Sequence, residues 1–213
     1  CSSGSTAMFE ARRAVSHGDC DVALVIGVDS LTQFGGGTIP LVDDDWEISQ
    51  GMTMPALYAM RARRYMHEFG ATVEQLAKVS VKARSHGARN PDAQFQKSVT
   101  VEEVLGSRPI ADPLTLLQCC PTGDGAAAAI ICASDVAGRF EAEPVKILAS
   151  ELCSGKFTNG FRDMTSMEIA VRGAGIAYEQ AGLGPDDIDV AEVHDAFSIA
   201  ELLYYEAFGF CER

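Results

Sequence analysis

Two places in this sequence carry residue types that could do nucleophilic or acid–base chemistry. The first is Cys1, heading CSSGSTAMFEARRAV, directly before a run with helical spacing. At a helix N-terminus the unpaired N–H groups and the helix dipole stabilise a thiolate, lower its pKa and offer backbone donors to an oxyanion. That is the setting of a nucleophilic cysteine. The same thiol also reads as the first residue of a fragment. The second place is VHDAF, residues 193–197, where His194 and Asp195 stand side by side. An imidazole there could polarise a carbonyl or move a proton, and equally reads as a hydrogen-bonded structural partner. Asp195 is read as the N-cap of a helix beginning near Ser198.

Other candidates are weaker. His67 and His86 fall near helix ends, where a solvated or C-capping histidine is the commoner case. Arg61, Arg63 and Arg64 in RARRYMH could meet a phosphate, but a solvated helix face explains them better. Met52 and Met54 in GMTMP would suit an adaptable apolar ligand wall, and core packing explains them as well. PTGDG lacks the G-x-x-x-x-G-K pattern of a nucleotide loop and reads as a turn before a strand.

The elements that must position these residues follow from periodicity. Ala7, Met8, Ala11, Ala14 and Val15 recur at helical spacing, and Gly18 closes that helix. DVALVIGVDSL then reads as a strand buried on both faces, so helix plus strand points to an α/β layer architecture. Two amphipathic helices are expected over 54–69 and 72–88, with Gly70 ending the first and Thr72 with Gln75 forming a capping box for the second. A short helix at 100–105, a strand in AAAAIICAS and a third strand in VKILASEL follow. A helix over 166–181 ends at Gly182, a short strand leads into VHDAF, and SIAELLYYEAFGF is again helical. The strand edge before VHDAF is where α/β folds place ligands.

Composition bounds the function. With 213 residues, 47% of them hydrophobic, the chain can bury a real core in one large domain or two small ones. A net charge of −13 argues against a general nucleic-acid binder or an anionic membrane surface as partner. No apolar run approaches the roughly 20 residues of a membrane span, and the start lacks the flank and apolar core of a signal peptide. Seven cysteines without repeated C-x-x-C spacing suggest free thiols in a reducing, cytoplasmic compartment and no zinc site.

Five stretches in order, CSSGSTAM, VALVIGVDSLT, GMTMPALYAMRARRYMHEFGAT, SRPIADPLTLLQCCPTGDGAAAAIICAS and EVHDAFSIAELLYYEAFGFCE, resemble the thiolases. The nearer likeness is to the branch of archaeal acetyl-CoA acetyltransferases and sterol-carrier-protein-type thiolases. This resemblance implies an incomplete, layered α/β/α thiolase-like core with a helical loop-domain insertion. Residues 1–33 and 109–140 would belong to the N-terminal domain, 34–108 to the loop domain covering coenzyme A, and 141–213 to the C-terminal domain. It implies that Cys1 is the acyl-accepting nucleophile and His194, in an H-D-A-F version of the family's N-E-A-F element, the oxyanion-hole residue. Met52 would line the acyl pocket and Phe197 would pack near the pantetheine arm. A coenzyme A thioester is then the substrate, with no tightly bound cofactor, in lipid metabolism. Partners implied are a second copy, as a homodimer or homotetramer, and a small OB-fold subunit.

The family also uses a G-H-P histidine and, late in the chain, a C-x-G cysteine; neither follows VHDAF here, where Cys211 precedes Glu212 and Arg213. The expectation is an internal fragment whose 213 residues alone do not condense acyl groups, for want of a base. Two rival classes remain. One is an N-terminal-nucleophile hydrolase using the Cys1 amine as base, which requires antiparallel sheets in four layers. The other is a non-catalytic acyl-CoA-binding or retro-aldolase-partner subunit of thiolase-like fold.

Overall fold

A computed structural model describes residues 2–35, 46–156 and 163–212 of the chain. Helix α1, Ser3–His17, ends at Gly18, whose φ of 77° places it in the left-handed region that glycine enters without a steric cost. Strand β1, Val22–Ser30, follows directly and pairs antiparallel with β4, Asp124–Cys132, in unbroken register from Val22 opposite Cys132 to Ser30 opposite Asp124.

Side chains alternate across a strand, and α1 packs against one face of this pair. Val25 is buried on that face, and Gly27 comes so close that a Cβ built on Gly4 would stand 3.4 Å from the Gly27 Cα. Two glycines thus let the first turn of α1 settle on the strand. The opposite face differs from the expectation of a strand buried on both sides. Leu24 is 64% exposed and Val28 72%, with Ile130 open on the neighbouring strand, because none of the described residues packs there.

The central helices form as their signals predict. Helix α3, Met54–Phe69, starts after Thr53 and ends at Gly70, preceded by a single unforeseen turn, α2, Trp46–Ser49. Helix α4, Val73–Gly87, carries the expected capping box: Thr72 Oγ1 accepts from the Gln75 N–H at 3.3 Å, and Gln75 Oε1 accepts from the Thr72 N–H at 2.8 Å. Helix α5, Val101–Leu105, repeats the device with Thr100 and Glu103. A small antiparallel pair, β2 Pro109–Ala111 and β3 Leu114–Thr115, was not foreseen.

Helix α6, Glu168–Ala181, ends at Gly182 as expected, and α7, Ser198–Ala207, closes the described fold. The main core lies between α3, α4, β3 and α7, where Ala59, Ala62, Leu76, Leu114, Phe197, Ile199 and Leu203 pack together. Two expected strands do not form. Residues 145–152 and the stretch before VHDAF make no ladder, and Val145 and Val190 are 91% and 80% exposed. A strand exists only where a neighbouring edge takes up its N–H and C=O groups, and the described residues offer these two segments none. The described residues form a small α/β layer, α1 on the β1–β4 pair, with the central helices as a separate helical part, in line with the expected incomplete α/β core and helical insertion.

Candidate active site

The H-D-A-F segment is held by a clamp. The Cys120 N–H donates to the Ala196 carbonyl at 2.7 Å, and Cys119 and Phe197 form an isolated antiparallel bridge. Below them, Thr115 Oγ1 donates to the Val104 carbonyl at 2.7 Å and the Thr115 N–H to Gln118 Oε1 at 3.0 Å, while the Gln118 amide reaches the Ser198 hydroxyl at 3.4 Å. These buried polar groups are satisfied by one another, which fixes the segment from beneath. From the side, Phe197 is 5% exposed and stacks on Tyr58 at 4.6 Å between ring centroids.

His194 stands at the apex of what this clamp presents. The Asp195 N–H donates to the Val193 carbonyl at 3.2 Å, closing a three-residue turn with His194 in the middle and its side chain exposed. Asp195 does not cap α7. The N-cap position belongs to Phe197, which has no side chain able to cap, and Phe197 C=O accepts from the Ala200 N–H at 2.8 Å. Asp195 instead lines a cleft of about 170 Å³ with Arg84, Phe95, Gln118, Cys120 and Ser198. Arg84 lies over the Phe95 ring at 3.9 Å from its centroid.

Burial dominates the titrations here. It pushes the Cys119 thiol up to about 11, with the neighbouring Cys120 adding to the effect, and it raises Cys120 as well. Neither is poised as a nucleophile. Burial, then the negative charge of Glu201, raises Asp195 above its ordinary value of 3.8. Between the ordinary and the raised value the folded chain keeps a proton that the unfolded chain has lost, so stability falls as pH rises through that window. Asp195→Asn is therefore expected to raise Tm at neutral pH, with the gain disappearing below pH 3.8; thermal melts of both proteins across pH check this.

Cys1 lies outside the described residues. Its neighbour Ser2 is the N-cap of α1, its carbonyl accepting from the Thr6 N–H at 2.8 Å. Gly4 sits over Gly27, opposite Ala127, and Ala127 is three residues beyond the start of β4 at Asp124. Cys120 precedes Asp124 by four residues, at most about 14 Å of extended chain. The first turn of α1 and the clamp on H-D-A-F therefore approach the same end of the β1–β4 pair. Asp124 secures that end by accepting from the Thr32 N–H at 2.9 Å and the Thr32 hydroxyl at 2.6 Å, the structural work of the PTGDG turn.

Met52 is half-buried, its N–H donating to the Glu47 carbonyl at 3.0 Å, and it lines neither this cleft nor the larger one between α3, α4 and α7. The arginine cluster is dispersed. Arg61 turns inward to the carbonyls of Met164 and Ser166 at 3.2 and 3.3 Å, Arg63 pairs with Asp112, and Arg64 with Glu68. The residues missed by sequence reasoning are Gln118, Thr115 and the pair Lys82 and Glu201. Only Glu201 left a trace, as a charge on the apolar face of a helix.

Comparison with known proteins gives these features a setting. A family model described as "Thiolase, N-terminal domain" matches residues 1–135, and one described as "Thiolase C-terminal domain-like" matches residues 151–213. An acetyl-CoA acetyltransferase of Methanothermobacter thermautotrophicus is 44% identical over 217 residues, covering 100% of this chain and 57% of that protein. The benzoylsuccinyl-CoA thiolase subunit BbsB of Thauera aromatica is 42% identical, covering 100% of this chain and 56% of its own length. This chain thus spans a little over half the length of these relatives. Among solved structures, the Ltp2-ChsH2(DUF35) aldolase superposes with a TM-score of 0.87 at 32% identity, covering 99% of this chain and 57% of that one. Human mitochondrial 3-ketoacyl-CoA thiolase, at 17% identity and a TM-score of 0.68, shares the fold. Among the described residues no helix is long and apolar enough to cross a membrane.

Proposed function

The chain belongs to the thiolase family, and from that premise we propose that it serves an acyl-CoA acyltransferase. In this reading the Cys1 thiolate attacks the thioester carbonyl of an acyl-CoA, the C–S bond to coenzyme A breaks, and the acyl group remains on Cys1 as a new thioester. The released CoA thiolate takes up a proton. When the carbanion of a second acyl-CoA attacks the acyl-cysteine, the new C–C bond forms as the C–S bond to Cys1 breaks and Cys1 leaves as a thiolate; in reverse, Cys1 attacks the 3-oxo carbon of a 3-oxoacyl-CoA, the C–C bond breaks, the departing carbanion takes up a proton to leave as an acyl-CoA, and a CoA thiolate then removes the acyl group from Cys1. His194 donates to the oxygen on which charge develops in the tetrahedral transition state, where a fixed donor acts most strongly.

The observation that carries this reading is the placement of His194: exposed at the apex of a turn whose flanks, Cys120–Ala196 and Phe197–Tyr58, are immobilised by hydrogen bonding and stacking. The backbone so held presents the His194 side chain outward. Met52 lines the acyl pocket in this reading, and Phe197 backs the pantetheine arm from the core. Residues 34–108 form the loop domain over coenzyme A, between the N-terminal portions 1–33 and 109–140 and the C-terminal portion 141–213. Coenzyme A thioester is the substrate, and no cofactor is tightly bound. The protein is cytoplasmic, acts in lipid metabolism, and works as a homodimer or homotetramer.

Incubation of the protein with acetyl-CoA should add one acetyl group, located by peptide mass spectrometry on the peptide containing Cys1 and absent from Cys1→Ala. Tight coenzyme A binding with no labelling would instead support a non-catalytic or retro-aldolase-partner subunit. The likeness to the Ltp2-ChsH2(DUF35) aldolase favours keeping that second reading, and with it a small OB-fold partner.

A further inference from the structure

Arg84 lies in the last turn of α4, half-buried, with its guanidinium over the Phe95 ring at 3.9 Å from the centroid. Stacking covers one face of the guanidinium plane and leaves its edge, where the N–H donors lie, free to bind. Among the described residues that edge meets no acceptor: no ion pair joins it to Asp195, which lines the same cleft. Burial lowers the Arg84 pKa with no anion to offset it. In a chain of net charge −13, an unpaired and half-buried cation calls for a partner from outside. The ring beneath it is held in place. The Asp92 N–H donates to Asn90 Oδ1 at 2.9 Å and the Gln96 amide to the Pro91 carbonyl at 2.6 Å, which shapes the segment after α4. Two glycines let that segment settle: a Cβ on Gly87 would stand 2.9 Å from the Phe95 carbonyl oxygen, and one on Gly123 2.7 Å from the Gln94 side chain. Residues 90–96 thus run as a strap from the end of α4 to the PTGDG turn.

The cleft under this strap joins Arg84 to the His194 turn. Cys120, whose N–H is bonded to the Ala196 carbonyl, and Asp195, next in the chain to His194, line it together with Arg84, Phe95 and the buried side chains of Gln118 and Ser198. Its volume, about 170 Å³, falls below the roughly 300–1,000 Å³ that encloses a drug-sized ligand. It has room for a short carbon chain and not for a pantetheine arm. A group that meets Arg84 is therefore only a few bonds from one at the His194 turn, whereas the phosphates of coenzyme A lie beyond the whole pantetheine arm. We propose that Arg84, held on Phe95, is a specificity-determining residue that takes a carboxylate at the far end of a short acyl group, so that the preferred substrates are CoA thioesters of dicarboxylic acids. The planar fork of N–H donors matches a carboxylate with two parallel hydrogen bonds. The inference rests on the acyl-CoA reading, with the thioester at the His194 turn.

Calorimetric titration of the full chain tests this by measuring Kd for succinyl-CoA, for its methyl ester, which lacks the charge, and for acetyl-CoA. Wild type should bind succinyl-CoA about tenfold more tightly than the ester, the lower end of what a hydrogen bond to a charged group contributes. Arg84→Gln should erase that preference. Arg84→Lys should keep part of it, because the charge stays and the fork is lost, and Phe95→Leu should weaken it by freeing the guanidinium. Thermal melts establish that each variant is folded. Equal binding of acid and ester by wild type, or a preference that survives Arg84→Gln, would overturn the proposal. So would a loss in Arg84→Gln that is the same for all three thioesters and vanishes for their 3′-dephospho forms, since the seat would then serve a CoA phosphate. If wild type binds no CoA thioester, the acyl-CoA reading fails, and NMR titration of the Arg84 Nε–H with acetate decides the carboxylate seat by itself. A saturable shift that is lost in Phe95→Leu supports the seat; no shift overturns it.

Discussion

Replacing His194 with alanine is expected to slow acylation of Cys1 by an acyl-CoA by about 10²–10³-fold, the range seen when one oxyanion donor is removed. Folding should be untouched. The argument is geometric: the ring is exposed at the apex of its turn, while the hydrogen bonds that shape the turn are made by the backbone of Val193, Asp195, Ala196 and Cys120. Among the described residues His194 is no part of the core cluster or of the side chains packed against it, so stability should change by no more than about 0.5 kcal/mol, as for an ordinary surface substitution. Rapid-quench measurement of acyl-Cys1 formation, beside a thermal melt, separates the two effects. His194→Asn, which keeps an N–H donor, should recover part of the rate. A fall in rate that tracks a fall in Tm would show that His194 serves the fold and not the transition state.

The sequence disclosed those parts of the site whose signals are local. Thr72 with Gln75 and the stops at Gly18, Gly70 and Gly182 act within a few residues, and the helices begin and end where these residues predict. His194 and Phe197 were recognisable as a motif by resemblance to the thiolases, and membership of that family is now shown. What stayed hidden depends on partners distant in the chain. Whether Leu24 and Val28 are covered is decided by what packs on the second face of β1, not by their own hydrophobicity. Residues 145–152 have the composition of a strand, and a strand is completed only by a neighbouring edge. Asp195 satisfied the local rule for an N-cap, but α7 starts at Ser198 as expected with Phe197, bridged to Cys119, at the N-cap position, and Asp195 lines a cleft instead. Lys82 and Glu201 are 119 residues apart, beyond the reach of any periodicity.

The other large effect is expected at Phe197, and it differs in kind from the first. Phe197→Ala should destabilise the chain by about 3–5 kcal/mol, the cost of emptying a buried aromatic site that cannot collapse. The ring is 5% exposed, stacked on Tyr58, and packed in the cluster of Ala59, Leu76, Leu114, Ile199 and Leu203 that joins α3, α4, β3 and α7. Its backbone also bridges to Cys119, so the loss falls on the clamp that carries the His194 turn. Urea denaturation should show a lower midpoint at unchanged m-value, as expected when native packing is lost without a change in the surface exposed on unfolding. Phe197→Leu, keeping most of the volume, should recover most of the stability. In conditions where Phe197→Ala remains folded, acylation of Cys1 should still be slowed, because a His194 turn without its anchor points its donor less consistently. An unfolding free energy within about 1 kcal/mol of wild type would mean that the core closes around the missing ring, and that the anchoring of His194 belongs to the Cys120–Ala196 hydrogen bond alone.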